Sequence, residues 1–317
     1  MRFALDEQQR DFAASIDAAL ASADLPSAVR AWAGGDTAPG RKVWARLADI
    51  GVTALAVPDR FGGIEAHPVD VVVALERLGR WCVPGPVTES VAVAPILMAD
   101  DERAKQLASG ELIATVAIPP WVPRAVDAGS AGLTLLTAGD AVSDAEPQQE
   151  HACVDPSRRL YDVTAVGDAR PADVGRAYEF GALATAAQLV GTGQALLSAA
   201  VDYAKQRTQF GRVIGSYQAI KHKLADVHIA VELARPLVYG AALSLGAESP
   251  DTARDVSAAK VAAAEAATLA ARHALQTHGA IGFTAEHDLS LWLLRVQALR
   301  AAWGDPAAHR RRVLEAL

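Results

Sequence analysis

Apolar residues recur at helical spacing through the first hundred residues. Three groups show the pattern, Phe12–Ile16–Leu20, Val43–Leu47–Ile50 and Val72–Leu75–Leu78. A period of three to four residues places apolar side chains on one face of a helix. Breaker residues such as Gly51 and the segment Val57–Gly63 separate these runs. The pattern predicts a helical lobe over residues 1–110.

The pattern of apolar residues changes between residues 111 and 175. Short apolar runs at Leu112–Ile118, Gly132–Leu136 and Cys153–Val166 are separated by prolines. Runs of this length bounded by breakers are typical of β-strands. We therefore predict a small β module here.

The remaining chain, residues 176–317, returns to helical periodicity. The predicted helices are Ala182–Lys205, Ser216–Ser244, Ala253–Thr277 and Asp288–Ala302. Their alanine-rich faces allow helices to approach closely, which favours a four-helix bundle. The predicted fold is mainly α, with an N-terminal helical domain, a small β domain and a C-terminal bundle.

Composition excludes several classes of protein. Hydrophobic residues make up 51% of the chain and charged residues 21%, which indicates a globular protein. A net charge of −7 argues against nucleic-acid binding, which needs a large basic surface. The sequence shows neither an apolar signal region nor an uninterrupted apolar run long enough for a membrane span. We expect a cytoplasmic protein without a nucleic-acid or membrane partner.

No metal site is predicted. Cys82 and Cys153 are the only cysteines and lack CxxC spacing. His278, Glu286 and His287 lie within ten residues of one another, but their spacing fits no helical pair of ligands.

A polar loop between two predicted helices carries the first candidate site. Arg207 supplies a planar cation suited to phosphate, and Phe210 stands beside it. Gly211 and Gly215 permit positive φ or a close backbone approach. This chemistry suits a large anionic ligand at a helix end, while an ordinary αα-hairpin with an exposed arginine remains the alternative.

A second candidate is the turn that follows Gln276. Gly279 and Gly282 break the helix and leave backbone N–H groups free for a pyrophosphate or a ribose. The alternative is a simple glycine cap, with His278 and His287 as surface or core histidines.

Together these motifs resemble the acyl-CoA dehydrogenase family. The pattern Arg-x-Gln-Phe-Gly-x-x-Ile-x-x-x-Gln begins at Arg207, and Gln-x-x-Gly-x-x-Gly-Phe begins at Gln276. The resemblance implies an FAD-dependent enzyme acting on an acyl-CoA. It also implies that Arg207, Phe210, Gln276 and Gly279 contact FAD held mainly by another subunit, with Gln218 a weaker candidate. Ala280 departs from the second glycine of the family turn.

The resemblance also indicates that the catalytic base of the family is absent from its usual positions in this chain. The family's catalytic base is most often a Glu in a turn downstream of an Arg-Asp pair; here Arg295 matches the Arg and Gly304 stands at the Glu position. In other members the Glu lies early in the helix before the flavin loop, and that position falls near Gly181. Asp305 and Glu179 are the nearest acidic residues and thus the weak candidates for a base.

The β module also lacks a motif that the family has. The family's Trp-containing motif that contacts the flavin ring has no equivalent, because Trp121 lies between prolines without matching flanks.

The combination implies one subunit of an α2β2 acyl-CoA dehydrogenase, resembling those of bacterial steroid and cholesterol breakdown. A second acyl-CoA dehydrogenase subunit would supply the Glu that removes the α-proton, and an electron-transfer flavoprotein would accept the electrons. Two alternatives remain: a self-sufficient homo-oligomer that uses Asp305 or Glu179, and a non-catalytic helical protein that binds acyl-CoA or a partner.

Overall fold

A computed structural model describes residues 4–317 of the chain. Over these residues the helices are α1 Glu7–Ala21, α2 Leu25–Ala33, α3 Ala38–Asp49, α4 Pro68–Arg80, α5 Ala94–Leu97, α6 Ala104–Ala108, α7 Val174–Gln206, α8 Gln218–Gly246, α9 Thr252–His278, α10 Leu289–Ala301 and α11 Pro306–Glu315. The strands are β1 Ala114–Ala117, β2 Ala125–Val126, β3 Leu133–Ala138, β4 Ala141–His151, β5 Leu160–Pro171, β6 Thr208–Gln209 and β7 Arg212–Val213. The prediction of a mainly α fold is confirmed.

Helices α1–α6 form the N-terminal lobe, as the periodicity predicts. The side chain of Asp6 caps α1 by accepting from the backbone N–H of Gln9, whose own side chain accepts from the Asp6 N–H. Gly51 follows α3 with φ of 80°, a conformation that glycine adopts without strain. Helix α2 was not predicted, although Leu25, Val29 and Trp32 bury one face at helical spacing.

The β module is a five-stranded sheet in the order β1-β3-β4-β5-β2. Strands β1 and β3 pair in parallel, and the other neighbours pair antiparallel. The predicted strands at Leu112–Ile118 and Gly132–Leu136 are confirmed in β1 and β3. The strand predicted over Cys153–Val166 is wrong in its first half, because β5 begins at Leu160. Strand β4 was missed, since its second half is polar and exposed.

Helix α7 passes through the core and joins the N-terminal lobe to the C-terminal bundle. At its contact with α4, a Cβ added to Gly191 would lie 1.8 Å from the backbone oxygen of Glu76. Only glycine permits this approach of the two helices. The four predicted bundle helices are confirmed in α7–α10, and α11 adds a fifth that packs on α9.

Two helices of the bundle, α7 and α8, are long and apolar enough to cross a membrane by length and composition. In α7, 89% of the most apolar window is buried against the rest of the protein. Its apolarity is therefore that of a core helix.

Candidate functional site

The loop between α7 and α8 is a short hairpin, which the sequence did not predict. Strands β6 and β7 pair through Thr208–Val213 and Gln209–Arg212, leaving Phe210 and Gly211 as a two-residue turn. Both have positive φ, 52° for Phe210 and 78° for Gly211. A positive φ is uncommon for an aromatic residue and is often found at functional sites. The turn holds Phe210 almost entirely in solvent, with 91% of its surface exposed.

Contacts with Tyr217 stiffen the hairpin. The Tyr217 hydroxyl donates to the backbone oxygen of Gln209 at 3.1 Å. The guanidinium of Arg212 lies 4.0 Å from the centre of the Tyr217 ring. Arg207 and Gln218, at the two ends of the loop, are both exposed. The loop thus presents an aromatic ring and two cations outward on a braced turn.

The second predicted segment forms an open turn at the end of α9. Gly279 has φ of 68° and ψ of −146°, a region that is accessible essentially to glycine alone. A Cβ at this position would meet nothing within 4 Å, so a ligand can approach the backbone from solvent. Ala280 lies in the following turn of 3₁₀-helix with negative φ, a conformation that alanine adopts freely. The departure from the family's second glycine therefore leaves the turn intact.

The two segments meet at one end of the bundle. The rings of Tyr203, at the end of α7, and His278, at the end of α9, stack with centroids 4.3 Å apart. Lys223 near the start of α8 donates to the Oε1 of Gln276 at 2.7 Å. Burial lowers the pKa of His278, so its ring is neutral and its Nδ1 donates to the Ala274 oxygen at 2.8 Å. These contacts join the ends of α7 and α9 and the start of α8, the three helix ends that carry the predicted cofactor segments.

Asp305 and Glu179, the two acidic candidates for a base, lie outside the two predicted cofactor segments. Each carboxylate has a partner within the chain. The Asp305 side chain caps α11 by accepting from the Ala308 N–H at 2.7 Å, and this contact lowers its pKa. Glu179 is half-buried and forms an ion pair with Arg312. A proton acceptor needs a free carboxylate directed at the substrate. Both carboxylates already have a partner within the chain.

Bulky side chains fill the space beside Gly181 and Gly304, the two positions at which the sequence resemblance predicts the family's Glu. A Cβ added to Gly181 would lie 2.3 Å from the ring of Trp303. A Cβ added to Gly304 would lie 2.6 Å from Nε2 of His309 and 3.0 Å from the hydroxyl of Tyr178. Separations this short exclude any side chain unless the neighbours move.

Trp303 occupies the space between them. It is buried, has φ of 59°, and donates its indole N–H to Oε1 of Glu89 at 3.1 Å. The ring of Tyr178 lies 6.1 Å from that of Trp303 and 4.8 Å from that of Trp121. Trp121 and Glu89 were both missed as members of this region. No sequence signal joins them to Trp303, because the contacts are long-range.

Arg295, which is buried in α10, pairs with a carboxylate from the β module. The Nε of Arg295 lies 2.5 Å from Oδ2 of Asp155, and its other nitrogens donate to Ser157 and to the Val83 oxygen. Val296, which the sequence resemblance places at the family's adjacent Asp, offers no charge, and Asp155 supplies the carboxylate partner of Arg295. The pair links α10 to the segment before β5.

Comparisons with known proteins identify the family. The N-terminal domain of the acyl-CoA dehydrogenase family matches residues 6–111, and its C-terminal domain matches residues 174–317. The chain belongs to the acyl-CoA dehydrogenase family.

One acyl-CoA dehydrogenase of this family, IpdE2 of Mycolicibacterium smegmatis, is 32% identical over 298 residues, which cover 91% of this chain and 92% of IpdE2. A chain of the ChsE4–ChsE5 complex from Mycobacterium tuberculosis superposes with a TM-score of 0.86 at 23% identity, covering 99% of this chain and 98% of that chain. A variant of the Tcur3481–Tcur3483 steroid ACAD gives 0.85 at 19% identity, covering 98% and 97%. At these identities the two structural likenesses show the shared fold.

FAD is the cofactor of acyl-CoA dehydrogenases, and one end of this bundle fits its anionic nucleotide half. Arg207 and Arg212 are exposed cations there, the backbone at Gly279 is open, and Phe210 offers a free ring for stacking. Near Trp303, positions 181 and 304 have no space for a side chain unless the neighbouring side chains move.

Proposed function

We propose that this chain is one subunit of a heteromeric, cytoplasmic, FAD-dependent acyl-CoA dehydrogenase that forms the α,β double bond of a CoA thioester. It would contribute the outer side of a flavin site, and a partner subunit would supply the catalytic Glu in an α2β2 assembly. An electron-transfer flavoprotein would accept the electrons.

The observation that carries this proposal is the closed space at the two base positions. Abstraction of a proton α to a thioester needs a carboxylate within hydrogen-bond reach of that carbon. Trp303 blocks a side chain at Gly181, and His309 blocks one at Gly304. A proton acceptor supplied by a second chain accounts for a family fold whose own base positions are filled.

This chain's own contribution would be binding and orientation of the cofactor. When bound, FAD accepts the hydride that leaves the β-carbon of the substrate. Arg207 would hold a phosphate oxygen, and Phe210 would stack on a planar group of the nucleotide. Gln276 and the open backbone at Gly279 would contact its adenosine half, with Gln218 as a weaker contact.

Exposed apolar residues on α8 support association with further subunits. Ile229, Leu233 and Leu237 lie four residues apart and are 55%, 65% and 46% exposed. They form a stripe on one face of the helix, and exposed apolar surface of this kind is typical of an interface.

Two similar proteins support the heteromer and the substrate class. One structural neighbour is a complex of two differently named chains, and another is described as a steroid ACAD. On this basis we propose a bulky, steroid-derived acyl-CoA as the substrate.

Co-expression with a candidate acyl-CoA dehydrogenase partner tests the proposal. We expect a yellow complex with equal numbers of the two subunits that reduces an electron-transfer flavoprotein in the presence of a steroid-derived acyl-CoA. The chain alone should lack dehydrogenase activity. An isolated chain that is yellow and fully active would support the self-sufficient homo-oligomer instead. A complex without flavin or activity would support the non-catalytic binding protein.

Arg207→Ala tests the assigned surface within the same complex. Loss of one charge-assisted hydrogen bond costs about 1.5–3 kcal/mol, so we expect FAD affinity to fall roughly 10- to 100-fold with an unchanged melting temperature. Arg10→Ala is the control, since Arg10 is an exposed arginine on α1 in the other lobe. Equal flavin content in all three proteins would count against the assignment.

A further inference from the structure

Tyr203, His278 and His287 form an aromatic stack at the end of the bundle that carries the turn after α9. The ring of His278 contacts both of the others, with centroids 4.3 Å from that of Tyr203 and 5.2 Å from that of His287. The first pair is nearly parallel and the second is edge to face. The aromatic stack therefore joins α7, α9 and the segment that precedes α10.

The hydrogen bonds of both histidines fit neutral rings. Nδ1 of His287 accepts from the backbone N–H of Leu289, the first residue of α10, at 3.2 Å. A protonated imidazole has no acceptor atom, and a positive charge at the start of a helix is unfavourable. His278 is buried and uses its Nδ1 to donate to the Ala274 oxygen. Burial, and to a smaller extent the neighbouring His287, lower the pKa of His278.

A proton on either ring would lack a counter-charge. Within residues 4–317, neither ring forms an ion pair with a carboxylate; the histidine that does so is His151, on the sheet. Lys223 of α8 donates to a side chain of α9 two residues before the stack and is itself a cation. Asp288 pairs with Arg30 of α2 at 2.7 Å, and Glu286 is exposed to solvent. Two protonated rings at this separation would also repel each other.

The turn packs directly on this stack. A Cβ added to Gly282 would lie 2.9 Å from the Cβ of His278 and 3.0 Å from Cδ2 of Leu289. The turn therefore cannot stay in place if these neighbours move apart and water enters. Gly279, whose open backbone faces solvent, directly follows His278 in the chain.

We propose that the aromatic stack is an acid-sensitive latch that holds residues 279–288 on the bundle. With neutral rings, the turn keeps the backbone at Gly279 in the form that the proposed function assigns to FAD. Protonation removes the acceptor at the start of α10 or places a positive charge beside the second ring, and the turn is released. Because the folded-state pKa of His278 is depressed, its stabilising contribution is complete above pH about 6.5 and is lost as the pH falls through the folded value.

The latch depends on packing within this chain, and only its effect on FAD rests on the proposed function. Hydrogen–deuterium exchange of the full-length chain at pH 7.5 and 5.5 therefore tests it without flavin. After correction for the slower intrinsic exchange in acid, we expect the amides of residues 279–290 to exchange at least fivefold faster at pH 5.5. Amides in the middle of α9 should keep their protection. Equal corrected exchange of the turn at the two pH values would overturn the proposal.

A variant of His287 assigns the acid effect. His287→Asn keeps a side-chain acceptor for the Leu289 N–H but does not titrate in this range, so the difference between the two pH values should fall below twofold. His228→Gln is the control, since His228 is exposed on α8 outside the stack, and it should behave as wild type. An undiminished acid effect in His287→Asn would contradict the latch.

Flavin fluorescence of the assembled complex measures the effect on FAD over the same pH range. We expect FAD to bind at least fivefold more weakly at pH 5.5 than at pH 7.5 in wild type, and less than twofold more weakly in His287→Asn. A turn that opens in acid while FAD affinity stays constant would support the latch and contradict the assignment of this surface to FAD. A loss of affinity that His287→Asn does not reduce would exclude the latch as its cause.

Discussion

Trp303 packs so closely on Gly181 that a methyl group at position 181 would lie 2.3 Å from Cε3 and Cζ3 of its ring. The two residues come from different elements, the loop after α10 and the core helix α7. Their contact leaves no space for a side chain at position 181, which the sequence resemblance places near one of the family's base positions. The indole N–H of the same tryptophan donates to Oε1 of Glu89 at 3.1 Å, so Trp303 also fixes the position of that buried carboxylate.

Gly181→Ala should destabilise the chain by about 1–3 kcal/mol, the usual cost of overpacking a core. Gly175→Ala, in the first turn of the same helix, is the matched control, since the nearest atom to its Cβ is 3.8 Å away. That change should be neutral or stabilising by up to about 1 kcal/mol, because alanine restricts the unfolded chain. Urea denaturation measures both, and equal free energies of unfolding would refute the packing argument.

Asp305→Asn and Glu179→Gln should leave the turnover rate of the assembled complex within about twofold of wild type, since neither carboxylate reaches substrate. Asn also caps helices, so Asp305→Asn should keep the melting temperature. Glu179→Gln breaks the ion pair with Arg312 and should lower it slightly. A fall of several hundredfold in kcat for either variant would instead identify that residue as the base.

Arg295→Met should cost about 3–5 kcal/mol, because it leaves Asp155 charged and buried without its main partner. Arg300→Met on the same helix is exposed and should change stability by less than about 0.5 kcal/mol. Adding Asp155→Asn to Arg295→Met should recover part of the loss. Chemical denaturation of wild type, Arg295→Met, Asp155→Asn and the double variant gives the coupling energy, and strictly additive losses would argue against a direct pair.

His309 should make the stability of the chain depend on acid pH. Its Nε2 donates to the Trp303 oxygen at 2.8 Å and its Nδ1 accepts from the Ser257 hydroxyl at 3.1 Å, so the neutral ring is the form that fits. Burial, with Lys260 and Arg312 nearby, lowers the pKa of His309 to about 4. A depressed folded-state pKa gives a stabilisation that is complete above pH about 6.5 and is lost as the pH falls toward 4, up to about 3 kcal/mol.

His309→Phe should therefore reduce the slope of unfolding free energy against pH between about 6.5 and 4, even though the variant starts from a lower stability. His222→Gln, at an exposed position on α8, should keep the wild-type slope. An unchanged slope in His309→Phe would assign the acid sensitivity to other groups.

Much of the fold could be predicted from sequence because its helices follow local rules. The spacing of Phe12, Ile16 and Leu20 was enough to identify α1, and glycine marked the end of α3. Strand β4 could not be recognised, because its polar second half carries no alternation. It is held by pairing with β5, a partner that local patterns cannot reveal.

The candidate site was likewise predicted only in part from the sequence. Arg207 and Phe210 lie in a contiguous motif, so the sequence identified the loop that carries them. The contact of Trp121 with Tyr178 and the link from Trp303 to Glu89 join distant segments. No local pattern encodes such contacts. The sequence could show that a Glu is missing at position 304, but only the packing shows that His309 and Tyr178 take up the space.

The filled space around Trp303 also limits how this protein can evolve. Introducing Glu at position 304 would require His309 to withdraw, and introducing it at position 181 would require Trp303 to shrink. A single substitution at either glycine lowers stability before it confers any chemistry. Under the proposed function, a proton acceptor of this chain's own would therefore need at least two coordinated substitutions, one at the glycine and one at the side chain that packs on it.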